Sequence, residues 1–111
     1  MKVSFTGTRQ GMSAWQKQQL AKFLEEHRSQ VALFAHGACS GADLEAHDLV
    51  RDVCGSLTFI ALKRDRDIVD CGCDLLLAAP LQMSEVLRSG TWSTIRYARK
   101  RHVPVQILWR E

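Results

Sequence analysis

The sequence lacks a long apolar run. Its longest continuous runs, such as Leu75 to Ala79 between Asp74 and Pro80, are far shorter than the roughly 20 residues that span a bilayer. The first residues, Met1 to Gly7, lead directly into a strand-like pattern and carry no extended apolar segment of the signal-peptide type. We therefore expect no transmembrane helix, no membrane partner and a cytoplasmic location.

The sequence also has only a small excess of charge of one sign. The 15 basic and 12 acidic residues give a formal net charge of +3, which is too weak a bias to indicate nucleic acid or a membrane surface by itself. A chain of 111 residues with 46% hydrophobic content is long enough for one core and too short for two. We expect a single domain over residues 1–111.

The cysteines and histidines form no familiar signature. Cys71-Gly72-Cys73 is not a C-x-x-C redox motif, and the spacing of His36, Cys39, Asp43 and His47 matches no strong zinc pattern. We expect reduced thiols and no metal or other cofactor. Asp43 is expected to accept hydrogen bonds from loop N–H groups instead.

Short apolar runs are present, and they are mostly continuous rather than alternating. This pattern is typical of parallel strands that are buried on both faces. The predicted strands are Val3–Phe5, Val31–Ala35, Leu57–Leu62, Leu75–Ala79 and Val103–Leu108.

Helical spacing separates these runs. A helix is predicted from about Ser13 to His27, where Ser13-x-x-Gln16 is a capping box, and another over the apolar positions from Ala42 to Val53. A short crossover helix is predicted through Arg66 to Asp70, a short helix and loop after the fourth strand, and a last helix from about Thr91. The alternation of strands and helices indicates an α/β fold with a parallel sheet.

Loops rich in small residues follow three of the predicted strands. In an open parallel sheet, ligands bind beyond the carboxyl ends of the strands, where backbone N–H groups and helix N-termini can approach an anion. A phosphate-bearing ligand is therefore predicted, although glycine and serine also form ordinary turns and caps. The predicted ligand-binding residues are Thr6, Gly7, Thr8, Arg9, His36, Gly37, Gly41, Asp43, Arg88, Ser89, Gly90 and Thr91.

The last helix carries a basic face and a tryptophan. Arg96, Arg99, Lys100, Arg101 and His102 are expected to lie in solvent, with those of the last turn opposing the helix dipole; a nucleic-acid surface is the alternative. Trp92 shares its spacing with Ile95 and Ala98, which predicts a core position rather than stacking on a base.

Together these motifs resemble a known superfamily. The segments Phe5-Thr6-Gly7-Thr8-Arg9, His36-Gly37-x-Cys39-x-Gly41-Ala42-Asp43 and Arg88 to Arg99 are similar to small bacterial and phage Rossmann-like proteins of the SLOG superfamily, which contains the Lonely Guy cytokinin enzymes and the DNA-processing Smf proteins. The resemblance implies a three-layer Rossmann-like fold, with a parallel sheet of about five strands flanked by helices. It also implies a nucleotide-derived ligand, such as ADP-ribose, an NAD-like molecule or a nucleoside monophosphate.

The chain departs from the Lonely Guy pattern at one important position. Aligning the Gly-Gly-x-Gly-Thr-x-x-Glu signature of those enzymes on Gly90-Thr91 places Thr94 where the glutamate belongs. A threonine cannot replace a carboxylate in acid–base catalysis, so we expect ligand binding rather than turnover. Hydrolysis of a nucleotide N-glycosidic bond is the alternative, with Glu85, Asp43 or Asp70 as the carboxylate.

Three further expectations follow from the resemblance. Single-stranded nucleic-acid binding of the Smf type, through the face from Arg96 to His102, is a third possible function. A homodimer is expected as a possible assembly, since Lonely Guy relatives form dimers. The segment Leu62 to Asp67 is shorter than the loop found there in related proteins, which predicts an open site without a lid.

Overall fold

The chain folds into alternating strands and helices. The computed structural model describes residues 1–55 and 57–111. The elements in chain order are β1 (Lys2–Gly7), α1 (Ala14–Glu26), β2 (Leu33–His36), α2 (Ala42–Cys54), β3 (Thr58–Ala61), α3 (Asp65–Asp70), β4 (Leu75–Ala79), α4 (Gly90–Lys100) and β5 (Val105–Ile107). Within the described residues, no helix has the length and apolar character needed to cross a membrane.

All the strand pairs in the sheet are parallel. The strand order is β3-β2-β1-β4-β5, with Val3 opposite Phe34 of β2 and Leu75 of β4. Helices α1 and α2 pack together on one face, and α3 and α4 pack together on the other. The predicted three-layer Rossmann-like α/β fold is therefore confirmed.

Side chains of the central strands alternate between the two faces. Val3, Phe5 and Leu77 are fully buried in the cluster beneath α1 and α2. Leu76 is fully buried in the cluster beneath α3 and α4. Because each large apolar side chain contributes roughly 1.5–3 kcal/mol when buried, the two-sided burial of β1 and β4 makes them the rigid centre that positions the loops at their ends.

Serine side chains cap α1, as the sequence predicted, and also α4. Ser13 Oγ accepts a hydrogen bond from Gln16 N at 3.1 Å, and Gln16 Oε1 accepts from Ser13 N at 3.0 Å, which completes the capping box of α1. Ser89 Oγ accepts from Trp92 N at 3.2 Å and starts α4. Trp92 is only 4% exposed, which confirms its predicted core position.

One predicted element is wrong. Residues 80–89, where a short helix was expected, form bends and one turn instead of a helix. Side chains of α4 donate hydrogen bonds to carbonyl groups of this segment. Trp92 Nε1 donates to Gln82 O at 3.0 Å, and Arg96 donates to Val86 O and Leu87 O. These tertiary hydrogen bonds replace the bonds that a helix would have made within the segment.

Candidate functional site

A cleft opens at the carboxyl ends of β1 and β4. In this strand order the chain leaves β1 towards β2 on one side, whereas β4 lies on the other side, so their connections diverge to opposite faces. The cleft has a volume of about 480 Å³, which is within the range of roughly 300–1,000 Å³ found for small-molecule sites. It lies at the position where doubly wound sheets bind their ligands.

The cleft brings together nine of the twelve predicted ligand-binding residues. These are the segment Thr6–Arg9 after β1, Asp43 at the start of α2, and the segment Arg88–Thr91 at the start of α4. They come from both faces of the sheet, because α2 and α4 lie on opposite sides. A ligand in the cleft would therefore contact residues of both helix layers.

The other three predicted residues, His36, Gly37 and Gly41, lie next to the lining residues but do not line the cleft themselves. His36 is 4% exposed and lies at the end of β2. Gly37 leaves room for Asp43, since an added Cβ would lie 2.9 Å from Asp43 Oδ2. Gly41 has a φ of +83°, and an added Cβ would collide with the backbone of Arg9. These residues shape the lining without forming it.

The start of α2 is tied closely to the loop after β1. Ala42 N donates to Thr8 O at 3.0 Å, and Thr8 N donates to Ala79 O of β4 at 3.0 Å. At Gly7 an added Cβ would lie 2.5 Å from the Cβ of Ala42, so only glycine allows this close approach. The backbone from Gly7 to Arg9 is consequently held between α2 and β4.

The N-terminus of α4 presents backbone donors beside two arginines. Of the first N–H groups of the helix, which have no partner within it, that of Trp92 is capped by Ser89. The N–H groups of Gly90 and Thr91 are the remaining ones in this turn, and both residues line the cleft with Arg9 and Arg88. The helix dipole and the guanidinium groups together favour an anion here.

Asp43 is a buried carboxylate in the same cleft. It is 4% exposed, its Oδ2 accepts from Cys39 N at 3.3 Å, and its Oδ1 is buried with no hydrogen-bond partner among the described residues. Burial raises the pKa of Asp43 to about 6, against the opposing effect of nearby amides, and the charge of Asp65 raises it further. The predicted hydrogen bond from loop amides is confirmed, and it leaves part of the carboxylate unsatisfied.

Asp65 is a charged residue of the cleft that sequence reasoning missed. It begins α3 and lines the cleft, and its Oδ2 lies 3.8 Å from the position of a Cβ added to Gly90. The rule that ligands bind beyond strand ends applies to β3 as well as to β1 and β2. That signal pointed to Asp65, because the segment that carries it follows β3 directly.

Two of the three candidate catalytic carboxylates lie outside the lining. Glu85 accepts from Arg96 Nη1 at 3.0 Å on an exposed surface. Asp70 accepts from Tyr97 Oη at 2.6 Å. Thr94, at the position of the Lonely Guy glutamate, is 1% exposed and its hydroxyl donates to Gly90 O at 2.9 Å. Asp43 is the only one of the three candidates that lines the cleft.

His36 and His47 form a hydrogen-bonded pair. Ala38 N donates to His36 Nδ1 at 2.9 Å, so the other ring nitrogen of the neutral His36 carries its proton and donates to His47 Nδ1, also at 2.9 Å. Burial, together with His47, lowers the pKa of His36. These ring nitrogens position the loop that carries Cys39 and support the cleft indirectly.

The comparisons with known proteins agree with the fold. No protein-family model and no curated protein matches the chain. Among solved structures, the chain is similar to DNA processing protein A from Helicobacter pylori, whose structure is described in terms of a unique single-stranded DNA binding mode. The two share 19% identity with a TM-score of 0.65, over 100% of this chain and 66% of that chain. At this identity the likeness establishes a shared fold, in agreement with the Smf part of the sequence resemblance.

Proposed function

We propose that the cleft at the ends of β1 and β4 binds a nucleotide or nucleotide-derived ligand through its phosphate. The observation that carries the proposal is that Arg9, Arg88 and the N-terminus of α4 line one cleft at the switch point of the sheet. Charge-assisted hydrogen bonds from guanidinium and backbone N–H groups are the usual means of holding a phosphate.

The remainder of the lining suits the rest of a nucleotide. Ile68, Leu81 and Val86 supply apolar contact for a base or sugar, and Gln10 and Gln82 supply amides. This combination of an anion site with apolar walls and a few polar groups is typical of small-molecule pockets. The motif resemblance to the SLOG superfamily supports the same class of ligand, including ADP-ribose, NAD-like molecules and nucleoside monophosphates.

Calorimetry with a panel of these nucleotides tests the proposal. We expect saturable binding to the wild type, and a loss of about tenfold or more in affinity for Arg88→Ala, because a hydrogen bond to a charged group contributes roughly 1.5–3 kcal/mol. Arg28→Ala is the matched control, since Arg28 is an exposed arginine paired with Glu25 on the surface. Absence of heat at millimolar ligand with folded protein would contradict the proposal.

Single-stranded DNA is a second candidate ligand. The specific observation in its favour is the shared fold with a protein whose structure is described by its single-stranded DNA binding mode. A DNA strand would bind either the arginines of the cleft or the cations Arg99, Lys100 and Arg101 on α4. Of the latter, Arg101 forms an ion pair with Asp70 at 3.5 Å.

Fluorescence anisotropy with a labelled oligonucleotide distinguishes these possibilities. Binding along several cations weakens steeply as salt is raised, because counterions are released from the phosphates. A steep salt dependence that is lost on changing Arg99 and Lys100 to alanine supports the α4 face. Competition of the oligonucleotide by a mononucleotide places the strand in the cleft, and no binding at low salt excludes this function.

A further inference from the structure

The buried carboxylate of Asp43 lacks a hydrogen-bond donor, so a ligand in the cleft is expected to supply one. A carboxylate can accept several hydrogen bonds, yet Oδ2 of Asp43 accepts a long one, at 3.3 Å from Cys39 N. The amides of Gly37 and Gly7 are close enough to lower its pKa, but its Oδ1 has no hydrogen-bond partner among the described residues. Leaving a buried polar atom unsatisfied is costly, and such atoms in a native fold call for an explanation. Asp43 is a lining residue of the cleft, so a bound ligand is the natural source of the missing donor.

We propose that Asp43 accepts a hydrogen bond from a sugar hydroxyl of the ligand, and this inference rests on the proposed phosphate site. The cleft would then select ribonucleotides over nucleotides that lack the ribose hydroxyls. The phosphate itself is unsuited to this position, because it carries no donor when ionised and is repelled by a carboxylate. A hydroxyl supplies a donor without charge, and in a nucleotide it is attached a few bonds from the phosphate.

The positions of the charged groups support this division of the cleft. Arg9, Arg88 and the α4 N-terminus are the cationic part, with the Asp65 carboxylate beside Gly90, and Asp43 is the acidic group on the other side. Of these, Asp43 is the buried one and belongs to α2, on the opposite face of the sheet from α4. A ligand that satisfies both parts must carry an anion and a hydrogen-bond donor in one molecule.

The same contact predicts how selectivity changes with pH. The ionised Asp43 is the better acceptor. The other charged or titratable groups that line the same cleft are Asp65 of α3, Arg9 after β1, Arg88 before α4 and the Cys39 thiol after β2, and of these the charge of Asp65 acts on Asp43. Protonation below its pKa of about 6 weakens the bond from a hydroxyl. Selectivity for the ribose is therefore expected to fall as the pH is lowered through that value.

The test compares the affinities of a ribonucleoside monophosphate and its dideoxy analogue by calorimetry. The ratio of the two affinities is the readout, because titration of the phosphate affects both ligands alike. We expect the wild type to prefer the ribonucleotide by about tenfold or more at neutral pH, and Asp43→Asn to reduce that preference and remove its pH dependence. Asp48→Asn is the matched control and should keep the preference, because Asp48 is an exposed carboxylate of the same helix that pairs with Arg51 and does not line the cleft.

The outcomes separate this inference from the proposed function. Equal affinity of the wild type for the two ligands overturns the role of Asp43 and leaves the phosphate site standing. Failure of both ligands to bind overturns the two proposals together. Since Asp43→Asn keeps an acceptor for Cys39 N, its fold can be verified by thermal unfolding before the ligands are compared.

Discussion

Among single residues, Asp43 has the largest predicted effect on stability through its charge. Its pKa is raised from 3.8 to about 6 in the folded chain. The folded state thus binds the proton of Asp43 more tightly than the unfolded state does. The resulting contribution to the free energy of unfolding is present at low pH and is lost as the pH rises through about 6. At neutral pH the ionised carboxylate destabilises the fold by up to about 3 kcal/mol, since one pKa unit corresponds to about 1.4 kcal/mol.

Replacing Asp43 with asparagine is therefore expected to stabilise the protein at neutral pH. Urea unfolding of wild type and Asp43→Asn measures the difference, which should be largest above pH 6 and should shrink as the pH approaches the unfolded value of 3.8. A residue that costs stability and lines a cleft is typical of a functional site. A wild type that is the more stable of the two at neutral pH would show that the carboxylate serves the fold.

Gly41 offers a second test at this scale, with Gly55 as its control. The two glycines cap α2 with similar backbone angles, φ +83° and ψ −126° at Gly41 and φ +70° and ψ −123° at Gly55. Alanine at either position incurs the backbone strain of roughly 1–3 kcal/mol. At Gly55 an added Cβ meets no described atom within 4 Å, whereas at Gly41 it meets the backbone of Arg9.

Gly41→Ala is therefore expected to destabilise the protein more than Gly55→Ala, and to weaken nucleotide binding by displacing the loop after β1. Thermal unfolding and calorimetry on the two variants measure both effects. Equal losses of stability, with binding unchanged in both variants, would show that the close approach of Gly41 to Arg9 has no bearing on the cleft.

The sequence predicted some of the residues that line the cleft and missed others. Thr8, Arg9, Ser89 and Gly90 were found because small residues and arginines follow predicted strands and begin helices. Asp65 was missed, and the unsatisfied state of Asp43 was unforeseen, because burial and pairing depend on packing between distant segments. A local pattern specifies a donor or acceptor but does not reveal whether the fold supplies its partner.

Among the elements, α4 connects the core to the cleft. Its buried face packs Trp92, Ile95 and Ala98 against the sheet, and its capped first turn lies at the cleft. Ser89→Ala removes the cap and is expected to cost about 1 kcal/mol of stability. It is also expected to weaken phosphate binding, because the uncapped first turn frays and Ser89 itself lines the cleft.

Ser13→Ala provides the matched control for this element. The Ser13 hydroxyl likewise accepts from the third amide of α1, within a capping box, and α1 contributes no residue to the cleft lining. The two variants should lose similar stability in urea unfolding, while only Ser89→Ala loses affinity for nucleotide. Similar affinities for the two variants would indicate that the α4 N-terminus takes no part in binding.

Elements with a strong local signal were predicted well. The capping box gave the start of α1, and the apolar run of β4 matched the observed Leu75–Ala79. The helix expected within residues 80–89 was wrong, because Trp92 and Arg96 bind the carbonyl groups of that segment. Such tertiary bonds involve residues from different parts of the chain, so the local pattern of residues 80–89 carries no sign of them.

At the scale of the whole molecule, the strand order determines where the cleft lies. The alternation of elements predicted a parallel sheet, but it did not give the order β3-β2-β1-β4-β5. That order depends on β1 pairing with both β2 and β4, which are separated from it by intervening helices. Once β1 and β4 are adjacent, the loops that follow them and the start of α4 meet at one edge of the sheet.

The central claim is that this edge binds a nucleotide phosphate, and amide chemical-shift mapping tests it most directly. Isotope-labelled protein is titrated with a ribonucleoside monophosphate. The account predicts saturable shifts that are largest at Thr8, Arg9, Gly90 and Thr91, around the cleft. Shifts that fail to saturate at millimolar ligand, or that are largest on the basic face from Arg99 to Arg101, would contradict it.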